Sequence, residues 1–160
     1  KEDEIKFNEL CDGLKVLRSF NMSLGVNMLK TLVNVSSRNL SEISDIEILE
    51  YHHNRKRDVP SGTALSLFDS IKDGAESEKN IVYRTEDNDR IRKTNEVGFS
   101  SIRGGDVVGE HSVFFFMDGE RIELTHKASD RKIFSVGALK ASIWLHKKKP
   151  GLYSILDMIE

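Results

Sequence analysis

Apolar positions along the chain switch between two spacings, one suited to helices and one to strands. Ile5, Phe7 and Leu10 mark the end of an amphipathic helix over 3–13, with Gly13 as its stop signal. A short strand is expected at 14–17. Asn21-Met22-Ser23 is a polar break with two N-cap side chains. Val26, Leu29, Leu32 and Val33 then recur at helical spacing and predict a helix to about Arg38. Ile46, Ile48 and the ring of Tyr51, with Glu47 and Glu50 between them, predict a strand over 46–51. Residues 52–60 read as a polar loop, and Ser61 caps a second helix to about Lys72, carrying Ala64, Leu65, Phe68 and Ile71. The stretch 76–94 is charged and irregular, with room for one short strand at 81–84.

The region 97–125 is β-rich. Strands over 97–103 and 106–118 flank Gly104-Gly105, a two-residue hairpin signal, and Asp118-Gly119 turns the chain into 121–125 with the chemistry of a type I′ turn. A three-strand meander is expected. Val113-Phe114-Phe115-Phe116 is apolar on both faces, where an antiparallel strand normally alternates. Either helices cover one face and another layer the other, or the second face is a subunit interface. A last helix over 133–148 carries Val136, Leu139 and Ile143 on one side, and the apolar tail 151–159 docks as a short strand or turn.

With 160 residues the chain has room for one ordinary domain of about 100–150 residues. The 24 basic residues against 26 acidic ones give a net charge of −2, so the footprint of a nucleic-acid or membrane binder is missing. The longest apolar run, 113–117, is far short of the roughly 20 residues a membrane helix needs. Lys1-Glu2-Asp3-Glu4 carries no apolar signal-peptide core. It also begins without Met, so a fragment or a processed product is expected. The single cysteine, Cys11, fits a reducing, cytoplasmic setting.

The chemistry concentrates in Glu50-Tyr51-His52-His53-Asn54-Arg55-Lys56-Arg57-Asp58-Val59-Pro60-Ser61-Gly62-Thr63-Ala64, which joins a strand end to a helix start. Adjacent histidines on a strand point to opposite sides, so one can face a ligand while the other anchors the loop. Ser61-Gly62-Thr63 offers free backbone N–H groups and the positive end of a helix dipole, which suit an anion. Gly62 admits a ligand close to the backbone, Thr63 adds a hydroxyl, and Lys56 adds a full charge. Histidine titrates near neutral pH and suits proton donation. This describes a site that grips a carboxylate or phosphate and gives a proton nearby. The plainer alternative is a solvated His-His loop, a wet basic run and an ordinary N-cap. A zinc site built from His52 and His53 with His111 or His126 lacks supporting ligand spacing, so no metal is expected.

Residues 50–64 resemble the signature E-x-H-H-x-x-K-x-D-x-P-S-G-T-A of the bacterial dihydrodipicolinate reductases. Three further segments agree. Phe20-Asn21-Met22-Ser23-Leu24-Gly25-Val26-Asn27 is similar to the family's N-F-S-x-G-V-N loop, with Met22 where Phe is usual. Residues 101–111 are similar to its S-x-R-x-G-D-x-x-G-E-H segment and 125–131 to its T-H-K-A-S-x-R segment. No G-x-G-x-x-G dinucleotide fingerprint occurs in the chain, so the resemblance is to the family's C-terminal portion.

The resemblance implies an α+β fold: a mixed, mainly antiparallel four-stranded sheet with helices on one face, and remnants of an α/β Rossmann domain at both ends. It implies three parts: 1–21 from the nucleotide domain, 22–130 for substrate binding and oligomerisation, and 131–160 returning to the nucleotide domain. The implied activity is reduction of 4-hydroxy-tetrahydrodipicolinate by NADPH or NADH, in lysine and diaminopimelate biosynthesis. The substrate is a small dicarboxylate, and the assembly a cytoplasmic homotetramer. By this resemblance His52 is the proton donor and Lys56 a second catalytic residue, while His53, Gly62 and Thr63 bind substrate. Asn21, Met22, Ser23, Arg131 and Phe134 match positions near the cofactor. Arg103, Asp106, Glu110, His111 and Lys127 read as fold or interface residues. The rival reading is a non-catalytic, anion-binding, tetramer-forming module.

Overall fold

The computed structural model describes residues 2–86 and 90–159, and residues 87–89 of the charged stretch lie outside them. The chain divides into two compact units, one formed by residues 1–28 with 131–160, the other by 29–130.

The first unit holds helix α1 (Glu2–Leu10), strand β1 (Lys15–Leu17), the start of α2 (Leu24–Leu40), helix α4 (Lys132–His146), strand β7 (Gly151–Tyr153) and the short helix α5 (Leu156–Ile159). Gly13, at φ +70°, follows α1 as the stop signal predicts. β1 and β7 pair in parallel, Val16 opposite Leu152, so the apolar tail does dock as a strand. Ser23 caps α2 as expected, its hydroxyl accepting from the Val26 amide at 3.2 Å. In α4 the apolar positions expected to pack turn out otherwise. Val136, Leu139 and Ile143 are about half exposed, and Gly137 and Ala141 make the buried stripe. At Gly137 the cause is close approach: a Cβ there would stand 1.8 Å from the Met22 carbonyl oxygen, so only glycine fits.

The second unit is built on strands β2 (Asp45–His52), β3 (Asn80–Tyr83), β4 (Glu96–Arg103), β5 (Gly109–Met117) and β6 (Glu120–Ala128), with helix α3 (Gly62–Gly74) and the rest of α2. The sheet has five strands rather than four, in the order β3-β4-β2-β5-β6. β3 adds to the edge because Ile81 pairs with Val97 and reaches the core. β2–β4 and β3–β4 run parallel, β2–β5 and β5–β6 antiparallel.

The expected hairpin at Gly104-Gly105 does not form, because β2 lies between β4 and β5. The glycines instead wrap the end of β2: the Gly104 amide donates to the His52 carbonyl (2.9 Å) and the Asn54 amide to the Gly105 carbonyl (3.2 Å). The Asp118-Gly119 hairpin does form, with Met117 opposite Glu120. Only Gly119 has positive φ there, +80°, so the turn is not type I′, which needs positive φ at both positions.

Alternation along the strands puts Ile46, Ile48, Val97, Phe99, Val113 and Phe115 on one face. Leu29 and Val33 of α2 and Ala64, Leu67, Phe68 and Ile71 of α3 cover that face. The doubly apolar strand is resolved by the same alternation. Val113 and Phe115 are fully buried, while Phe114 and Phe116 stack on the opposite face, centroids 5.6 Å apart.

Candidate active site

His52 is the last residue of β2 rather than the first of the loop, and this decides its neighbours. Residues two apart on a strand share a face. Glu50 and His52 therefore lie side by side, with His52 Nδ1 hydrogen-bonded to a Glu50 carboxylate oxygen. An ionised carboxylate only accepts, so Nδ1 carries the proton and Nε2 is the nitrogen left for chemistry.

Glu50 is fully buried. Arg103, opposite His52 in the β4 register, grips it with two bonds, Nη1 to Oε2 at 2.9 Å and Nη2 to Oε1 at 2.7 Å. The Ser61 amide donates to Oε1 at 3.3 Å. Burial alone would raise the Glu50 carboxyl, but hydrogen bonds from Arg103, Ser101 and His52 outweigh it and hold it below the ordinary carboxylate range. His52 ends below the ordinary imidazole range. Burial is the main cause, opposed by the Glu50 bond and charge and reinforced by Lys56 and Arg103.

His111, directly opposite Glu50 on β5, meets the His52 ring edge-on at 5.1 Å. Its Nε2 stands 3.0 Å from the Ser61 hydroxyl, which also caps α3 by accepting from the Ala64 amide at 3.2 Å. Burial pushes His111 down to about 4. Gly109 completes the wall. A Cβ there would stand 3.0 Å from His52 Nε2, so glycine leaves that nitrogen uncovered.

The loop after β2 is tied to the same cluster. Arg103 Nη2 donates to the Asp58 carbonyl at 2.7 Å, and Lys56 Nζ pairs with the Asp58 carboxylate at 2.8 Å. That pairing, led by the Lys56 hydrogen bond, lowers the Asp58 carboxyl. Gly62, the first residue of α3, is exposed, with open space where a side chain would sit. His53 is half-buried, and its Nδ1 has no partner among the described residues.

One connected network thus reaches His52 and the helix start through Glu50 and Ser61, and Lys56 through Arg103 and Asp58. Sequence reasoning underrated Glu50, Arg103 and His111, which it read as motif or framework. The available signal was the two-residue step from Glu50 to His52. Asn21, Met22, Ser23, Arg131 and Phe134 all belong to the first unit. There the Asn21 carboxamide oxygen accepts from the Ser23 amide at 2.8 Å, and Arg131 is exposed at the start of α4.

Glu50, His52 and His111 offer one ligand atom each within 4.8 Å of one another, a spacing a metal ion could use. Arg103 already holds both carboxylate oxygens, so a cation would have to displace it.

The cluster can hold an imidazole in one tautomer beside a capped helix start, the parts of a proton-donating anion site. Comparison with known proteins gives the same stretch a family. The chain is 49% identical over 146 residues to the 4-hydroxy-tetrahydrodipicolinate reductase of Rhodopseudomonas palustris, covering 90% of this chain and 54% of that protein. Against the Brucella abortus protein of the same name it is 45% identical over 161 residues, 99% of this chain and 60% of the relative. The chain thus spans a little over half the length of these relatives. A solved structure described as dipicolinate-bound dihydrodipicolinate reductase from Paenisporosarcina sp. TG-14 superposes with a TM-score of 0.77 at 20% identity, over 100% of this chain and 61% of that one, and so shares the fold. The family model described as "Dihydrodipicolinate reductase, C-terminus" matches residues 25–159, and the chain belongs to that family.

Proposed function

We propose that this chain is the substrate-binding and oligomerisation portion of a 4-hydroxy-tetrahydrodipicolinate reductase, a cytoplasmic enzyme of lysine and diaminopimelate biosynthesis that uses NADPH or NADH. In this reading residues 22–130 bind substrate and partner subunits, while 1–21 and 131–160 belong with the nucleotide-binding portion. The observation that carries it is His52, fixed by Glu50 at the end of β2 and joined through Ser61 to the start of α3.

The substrate is a ring with two carboxylates. Gly62 and Thr63, at the N-terminus of α3, suit one carboxylate, and Lys56 and His53 supply further donors to the same anion. The structure solved from Paenisporosarcina is described as dipicolinate-bound, which supports a planar dicarboxylate as the ligand class. Protonated His52 gives its Nε2 proton to the reduced ring and stays bonded to Glu50 through Nδ1. Glu50 favours the imidazolium that must form beforehand, while burial, Lys56 and Arg103 oppose it. A bound dicarboxylate adds negative charge and tips that balance toward the proton-loaded form.

The donor set of the first unit suits a nicotinamide cofactor. Arg131 is an exposed cation at a helix start, with no ion pair among the described residues, and Asn21 and Met22 bring an amide and an apolar side chain. When bound, the cofactor supplies the hydride. The outer face of the sheet, with Phe114, Phe116 and Ile102, is assigned to the other subunits of a homotetramer. No helix among the described residues is long and apolar enough to cross a membrane.

Titrating isotope-labelled full-length protein with dipicolinate tests the reading. The amides of Gly62 and Thr63 and the His52 ring are expected to shift together and saturably. Shifts confined to other residues would overturn it.

A further inference from the structure

We infer that Glu50 is a positioning residue for the proposed reduction: it fixes the His52 ring with the proton on Nδ1, and Arg103 holds Glu50 to that task from the neighbouring strand. The inference rests on the reading of His52 as proton donor. It goes further in assigning roles to two residues that do not themselves meet the substrate.

Glu50 cannot itself serve as the donor. It is fully buried, and its two oxygens together receive His52 Nδ1, both Arg103 terminal nitrogens and the Ser61 amide. An isolated carboxylate at such depth would be costly, so Arg103 is the condition for its being charged there. Satisfying Glu50 alone would not require His52, since Arg103 and Ser61 already bond both oxygens. The additional bond to Nδ1 fixes which nitrogen of His52 is protonated and which way the ring turns. It leaves Nε2 beside Gly109, which has no side chain to cover it.

The charged and titratable groups around the His52 ring come from four elements: Glu50 on its own strand, Arg103 on β4, His111 on β5 and Lys56 in the following loop. Among them only Glu50 raises the proton affinity of His52, and Arg103 lowers it. Because Arg103 keeps Glu50 charged and the Glu50 effect on His52 is the larger, removing either residue is expected to lower the His52 proton affinity.

The test is nitrogen NMR of the His52 imidazole in the full-length native protein, alongside steady-state kinetics. The wild type is expected to show the Nδ1–H tautomer. Glu50→Gln is expected to move the His52 titration midpoint down and to lower kcat roughly 10- to 100-fold, within the about 10²–10⁴-fold worth of a general acid, with KM held within about threefold. Arg103→Gln leaves Glu50 buried without the cation that keeps it charged, so it is expected to move the midpoint down as well. Should either single variant fail to fold, the double variant Glu50→Leu/Arg103→Met removes both buried charges together, a replacement cores tolerate. It is expected to lose the tautomer preference and the same turnover. Unchanged midpoint and tautomer in Glu50→Gln, or in the double variant, would overturn the inference. Should the resonance move while kcat stays constant, Glu50 sets the tautomer without aiding the reduction and the inference falls, whereas the donor reading of His52 is judged separately by the turnover of His52→Gln.

Discussion

The Ser61 hydroxyl stands 3.0 Å from His111 Nε2 while accepting from the Ala64 amide, so one oxygen both caps α3 and holds a buried ring of β5. Ser61→Ala removes both bonds. Loss of an N-cap costs about 1 kcal/mol, and an orphaned buried polar group about 1–3 kcal/mol more. The variant is expected to unfold at lower urea concentration by a total of about 2–4 kcal/mol, with an unchanged slope. A loss under about 0.5 kcal/mol would show that the contact carries no weight.

His111 also predicts how stability depends on pH. Burial lowers its folded-state value to about 4, so protonation favours the unfolded chain. The stabilisation is fully present above the unfolded value of about 6.5 and is lost as pH falls from there toward about 4. The window corresponds to about 3 kcal/mol. His52 and His126 are lowered as well and act in the same direction. Urea unfolding of the wild type at a series of pH values should show this decline, and His111→Gln should flatten it. Equal slopes in the two proteins would refute the assignment.

The proton-donor reading makes a kinetic prediction. His52→Gln in the full-length protein is expected to lower kcat about 10²- to 10⁴-fold, with KM for the dicarboxylate changed little. A bound dianion raises the His52 proton affinity. The alkaline limb of kcat should therefore lie at higher pH than that of kcat/KM, because the first reports the substrate complex and the second the free enzyme. Coincident limbs would argue against a substrate anion beside His52.

Much of this fold was legible in local sequence. The caps Ser23 and Ser61, the stop at Gly13 and the Asp118-Gly119 hairpin all depend on neighbouring residues and appear where expected. The order of strands was not legible. Whether Gly104-Gly105 closes a hairpin depends on what lies beside β4, and β2, some 50 residues earlier, takes that place. The α4 stripe failed for a related reason. Apolarity selected Val136, Leu139 and Ile143, but the tight approach of the Met22 carbonyl selects glycine at 137, and Ala141 is buried with it. At the site, the segment 50–64 was evident as chemistry. Arg103 and His111 join it only through strand register, which no local pattern encodes.

The outer face of the sheet carries the proposed assembly. Phe114 and Phe116 stack there, and Phe116 and Ile102 remain substantially exposed in the single chain. Placing a charge in an apolar contact of this kind disfavours association far more than folding, because the side chain stays wet in the monomer. Phe116→Asp is expected to reduce the light-scattering mass of the native protein from a tetramer to a smaller species, with the circular dichroism spectrum preserved. A tetramer of undiminished mass would place the subunit contact elsewhere.

Two glycines on helices should respond in opposite ways to the same substitution. Replacing a helical glycine with alanine ordinarily stabilises by up to about 1 kcal/mol, through backbone entropy. At Gly62 the added methyl meets open space, so Gly62→Ala is expected to leave thermal stability level or raised while weakening dicarboxylate binding at the helix start. At Gly137 the methyl would stand 1.8 Å from the Met22 carbonyl oxygen and 2.9 Å from its carbon. Both atoms are backbone and cannot swing aside as a side chain would, so α4 or the 21–23 loop has to shift. Overpacking of this kind costs about 1–3 kcal/mol and outweighs the helix-propensity gain. Calorimetry of Gly137→Ala is therefore expected to show a lowered melting transition, and a rise would mean that the loop yields freely.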